Sequence, residues 1–133
     1  MIGTVLFEDQ YGSTIDRPDA NFIEIRWYDA TLSFTSEGFN AWLQRFAGEV
    51  EAVRRPAVLV DSVQFRMDMA HMDRDWRDAN IIPRYNKAGV RKFAFLMPEG
   101  MPAIGAPPTV DGPAEFPTAY FGGRADALAW LVA

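Results

Sequence analysis

The chain has 133 residues, a net charge of −5, 49% hydrophobic and 14% aromatic residues, and no cysteine. That composition excludes intrinsic disorder, and the negative balance opposes wrapping a polyanion, because phosphate contacts need clustered Lys and Arg. Without cysteine there is no disulfide framework, no thiolate zinc site and no thiol nucleophile.

At this length the chain reads as one domain, residues 1–133, able to bury roughly two thirds of the surface its unfolded chain exposes. The opening "MIGTVLFEDQ" lacks the basic region of a signal peptide and has the β-branched and aromatic character of a first strand over residues 2–8. The next stretch, "QYGSTIDRPDAN", carries Gly12, Pro18 and Asp19 and reads as a turn-rich connection. In "FIEIRWY", Ile23, Ile25 and Trp27 alternate with Glu24 and Arg26, the period of a half-buried strand paired antiparallel with an N-terminal neighbour.

Phe39, Trp42, Leu43, Phe46, Val50 and Val53 then recur at helical spacing and paint one apolar stripe. Thr35 or Ser36 can cap that helix, Glu37 suits its first turn, and Pro56 stops it. "AVLVD" is apolar on both faces, as a central strand is. A second helix is expected over residues 72–88, with Met72, Trp76, Ala79 and Tyr85 inward, a kink or a restart at Pro83 and Gly89 closing it. Arg84, Lys87, Arg91 and Lys92 are expected to offset the dipole at that helix's end. "KFAFLM" is a further buried strand, and the proline- and glycine-rich residues 98–117 form a long loop of the kind that serves as a lid or interface arm. A short strand, "TAYF", and a last helix, "GRADALAWLVA", complete the chain. Strands alternating with helices after an antiparallel start predict an α/β domain with a four- to five-stranded mixed sheet and right-handed crossovers.

The residues "FIEIRWYDATLSFTSEGFNAWL", "RRPAVLVDSVQFRMD", "IIPRYNKAGVRKFAFLMP" and "ALAWL" resemble the STAS-type domain of anti-sigma-factor antagonists, and more closely the small bacterial STAS/SEC14-like proteins. The likeness covers residues 20–97 and the last helix. It implies a STAS-like topology and a non-catalytic regulatory or protein-interaction module. In antagonists of that family a serine following an aspartate at a helix start is phosphorylated, a place where a phosphate is welcome. The corresponding place here holds Asp68 and Met69, and methionine takes no phosphate; Ser62 follows Asp61 but at a strand end.

Chemistry concentrates in "VLVDSVQFRMDMAHMDRDW". Asp68, His71 and Asp73 offer two carboxylates beside the one imidazole, without the spacing of a known metal motif; helix capping by Asp73 and a loop role for His71 explain them as well. No G-x-S-x-G turn, G-x-G-x-x-G or P-loop is present, so no cofactor is expected, and acid–base chemistry would fall to Glu8, Glu24 or Asp61. Met67, Met69 and Met72 near one strand end, with Met97 and Met101 at the start of the long loop, suit core filling, a protein interface or an apolar ligand. The candidate partner or ligand surface is therefore Asp61, Ser62, Met67, Asp68, Met69, His71, Met72, Met101 and Phe116. The expected partner is another protein or a second copy of the chain; the alternative is a small apolar or lipid-like ligand held in a cavity closed by Phe116 and Met101. No nucleic acid and no membrane span are expected, since no apolar run approaches the ~20 residues that crossing a bilayer takes, and a cytoplasmic location follows.

Overall fold

The computed structural model describes residues 2–133. Six strands form one sheet in the order of the chain: β1 (Thr4–Glu8), β2 (Gly12–Arg17), β3 (Phe22–Trp27), β4 (Ala57–Asp61), β5 (Lys92–Leu96) and β6 (Thr118–Phe121). β1, β2 and β3 pair antiparallel, and the pairs from β3 to β6 are parallel, so β3 is where the sheet changes character.

The sheet is thus mixed, as expected, but has six strands, not four or five. The added strand is β2, inside the stretch read as turns. Its Gly, Ser and Asp residues are poor strand formers, and side chains from distant parts of the chain hold them in line. Thr14 donates to Glu49 (3.1 Å), Arg55 grips Asp16 through two bonds of 2.8 and 3.0 Å, and Tyr28 donates to Ser13 (3.2 Å). Asp9 makes the β1–β2 turn by accepting from the backbone of Tyr11 and Gly12.

Helix α1 (Ser36–Val53) starts where Thr35 accepts from the Gly38 amide (3.0 Å), and it ends at Arg54 in a left-handed conformation. Its stripe Phe39, Trp42, Leu43, Phe46 and Val50 is buried against Ile23, Ile25 and Trp27 of β3 and Val58 and Val60 of β4. The expected helix over residues 72–88 is two: α2 (Arg74–Asn80) and α3 (Ile82–Ala88), with the break at Ile81 and Pro83 in the first turn of α3. Proline needs no amide partner there, so of the two expected outcomes the chain takes the restart. Ile81, Ile82 and Tyr85 supply the buried face; Trp76 and Met72 are half-buried and Ala79 is exposed, because α2 is too short to carry the stripe across the break. Gly89 closes α3 at φ +90°.

Helix α4 (Arg124–Val132) packs on the other side of the sheet, where Ala127 and Leu131 meet Phe22, Ala57, Leu59, Ala94 and Leu96. Lys92 does offset a helix dipole, but that of α4: its ammonium donates to the carbonyls of Trp130 and Ala133 at 2.8 and 2.9 Å. Arg84 instead binds Glu51 and the Gln44 carbonyl across the α1–α3 contact. The long loop has no regular element, yet it turns back on the sheet. Thr109 and Thr118 exchange backbone bonds of 3.0 and 2.7 Å, and Phe116 is buried on Phe93. Among the described residues no helix is long and apolar enough to cross a membrane.

Candidate functional site

Parallel strands deliver their connections to one end of the sheet, and binding crevices in α/β sheets lie outside that end. The segment after β4 forms the middle of this rim. Asp61 accepts from the Val63 amide (3.2 Å) and stands 3.9 Å from Arg26; the Ser62 amide donates to Leu96 (2.8 Å), and Ser62 itself is buried. Asp68 and Asp73 are turn and helix caps, accepting from Ala70 and Trp76 at 3.0 Å each, and His71 is the exposed last residue of the 3₁₀ turn Met69–His71, its carbonyl accepting from the Ser36 hydroxyl. The Arg66 amide donates to the Thr31 hydroxyl (2.8 Å), which fastens the segment to the 3₁₀ turn Asp29–Ser33 that follows β3.

The methionines separate. Met67 is 4% exposed and belongs to the core with Phe116, so neither is a surface group: both are needed to fill the layer between sheet and helices. Met72 is half-buried against the same core, and Met69 and Met101 are exposed. An open concavity lies at the start of α1 and α2, lined by Ser36, Ala70, His71, Met72, Asp73, Arg74 and Asp75. Met67, Met101 and Phe116 are not part of its wall. Among the described residues no three metal-ligating side chains converge.

Two large apolar side chains that sequence reading passed over share this rim. Leu32 projects from the turn after β3 and Val63 from the segment after β4; with Met69 and Met101 they are between 41 and 74% exposed. The signal was present as apolar residues among polar ones in "DATLS" and "DSVQF", but neither stretch has a period that assigns a face.

The strongest electrostatic feature lies just behind the rim, on the α4 side. Glu24, expected to point to solvent, is fully buried beneath three guanidinium groups. Arg124 grips both of its oxygens (2.8 and 2.9 Å), while Arg17 and Arg26 each add a bond of 3.2 Å. Burial alone would raise its pKa, but the Arg124 bonds and the charges of Arg124, Arg26 and Arg17 outweigh it and hold the carboxyl below its ordinary range. Glu24 therefore stays ionised and saturated at neutral pH, a state unfit for donating a proton and suited to anchoring α4 on β3.

Comparison of the chain with protein-family models, curated proteins and solved structures finds no match.

Proposed function

We propose that the protein is a non-catalytic regulatory or protein-interaction module of STAS-like type, lacking the phosphorylatable serine of that family, and that its working surface is the rim at the C-terminal ends of β3, β4 and β5. The observation that carries this reading is the exposure of Leu32, Val63, Met69 and Met101, each on a connection that leaves the C-terminal end of β3, β4 or β5. Single exposed apolar residues are ordinary, whereas several on neighbouring loops mark a docking surface. Methionine adapts to varied partner shapes, and the turns beneath these residues are fastened by the Thr31–Arg66 and Ser36–His71 bonds, so little order has to be gained on binding.

The test is cross-linking in native extract with the wild type and with the triple variant Leu32→Asp, Met69→Asp, Met101→Asp. A discrete protein adduct that the wild type forms and the folded triple variant loses is the expected result. Identical adducts from both proteins, or none from either, would sink the reading. Native mass spectrometry adds one further outcome: a small-molecule mass lost on denaturation would replace the interaction module by the carrier of an apolar ligand.

A further inference from the structure

The rim carries carboxylates that no cation of the fold neutralises. Its connections leave β3, β4 and β5, neighbouring strands about 5 Å apart, and the Thr31–Arg66 and Ser36–His71 bonds tie the first two connections together. Residues 28–38, 62–76 and 97–101 hold Asp29, Glu37, Asp68, Asp73, Asp75 and Glu99, all exposed, against Arg66 and Arg74. No ion pair among the described residues includes any of the six, and the Arg66 guanidinium is spent on the carbonyls of Val63 and Phe65. Elsewhere in the fold Asp16, Glu24, Glu49 and Glu51 each have an arginine. The starts of α1 and α2 offset about half a charge each, too little to cancel the excess. The opposite end, where the chain enters β4 and β5, exposes Arg54, Lys87 and Arg91.

We infer that the partner of this rim is cationic: a segment of another protein whose apolar residues are flanked by Lys or Arg. The inference rests on the docking surface proposed above and adds the chemistry of what docks there. The apolar groups of the segment seat on Leu32, Val63, Met69 and Met101, and its cations face the unpaired carboxylates. Charge also fixes which end is approached, since the rim draws a cationic segment in and the basic opposite end turns it away. A second copy docking rim to rim is a poor occupant, because two acidic surfaces repel. An acidic segment is excluded on the same ground.

Fluorescence anisotropy with short labelled helical peptides tests it: an amphipathic Leu–Lys peptide, the same pattern with Glu for Lys, and the same pattern with Ser for Leu. Each is titrated with the wild type and two variants. The charge variant is Asp29→Asn, Asp75→Asn, Glu99→Gln, and none of those carboxylates caps a helix or turn. The apolar variant is Leu32→Gln, Met69→Gln, Met101→Gln. The expected pattern is binding of the Leu–Lys peptide alone, at least ~10-fold weaker in the charge variant and on raising salt from about 50 to about 300 mM, and lost in the apolar variant. A Leu–Lys peptide that does not bind, or that the charge variant binds equally well, overturns the inference. Binding of the Leu–Glu peptide that the apolar variant loses overturns the cationic partner and keeps the docking surface. Binding of the Leu–Lys peptide that survives in the apolar variant overturns both.

Discussion

Glu24 shows what one buried carboxylate contributes. It has four N–H donors on two oxygens and no exposure, so its charge is stable only while the three arginines stay in place. Glu24→Gln leaves those guanidinium groups without their counter-ion. Breaking a buried pair in this way costs about 3–5 kcal/mol, to be read as a lower urea midpoint at pH 7. The pH dependence has a definite sign. The folded-state pKa lies below the ordinary 4.5, so the stabilisation is fully present above that value and is lost as pH falls through the folded pKa. The stability difference between wild type and Glu24→Gln should therefore be flat from pH 7 to about 5 and shrink below that. A difference that grows on acidification would contradict the buried-anion account. Glu49 carries the opposite sign: burial pushes its carboxyl up against the pull of Arg45 and Thr14, so its contribution weakens as pH rises through its titration.

Among the elements, local stops decide more than average propensity. Gly89 holds φ +90°, and a Cβ there would meet nothing within 4 Å, so Gly89→Ala is a test of backbone conformation alone. It should lower stability by about 1 kcal/mol with the fold intact; a neutral result would mean that α3 does not end in the left-handed conformation. Most of the fold was legible in just such local signals. α1 showed its stripe, cap and stop; β3 showed its alternation; β4 and β5 showed apolar runs bounded by Pro56, Gly89 and Pro98. β2 was not legible, because its extended form depends on Glu49, Arg55 and Tyr28, contacts 15 to 39 residues away in the chain. The burial of Glu24 was hidden for a related reason. Alternation says that Glu24 opposes Ile23 and Ile25, but only the placement of α4 decides that the opposite side is covered too. Within the candidate site, Asp68 and Asp73 were readable as caps. Which methionines face solvent was not, since irregular loops carry no period.

At the scale of the whole molecule, the sheet is closed at one edge and open at the other, and Phe116 maintains the closed one. It is 2% exposed and stacked on Phe93 with ring centroids 5.8 Å apart, anchoring the loop whose Thr109 and Gly105 bond β6. Phe116→Ala should cost about 3–5 kcal/mol and speed amide exchange at Thr118, whose N–H donates to Thr109. Loss of stability without that exchange would show that the loop is held elsewhere. The order β1 to β6 also bears on how the molecule comes together. Each strand docks on the one made just before it, so most of the sheet can grow by short steps with small loop-closure entropy. The Glu24–Arg124 clasp is the exception, joining positions 100 residues apart. Closing a loop of that length is entropically costly, so the clasp is expected to form late in folding. Glu24→Gln should then leave the refolding limb of a chevron nearly unchanged and accelerate unfolding. An equal slowing of refolding would instead place the clasp in the folding nucleus; the expected result makes it a brake on unfolding alone.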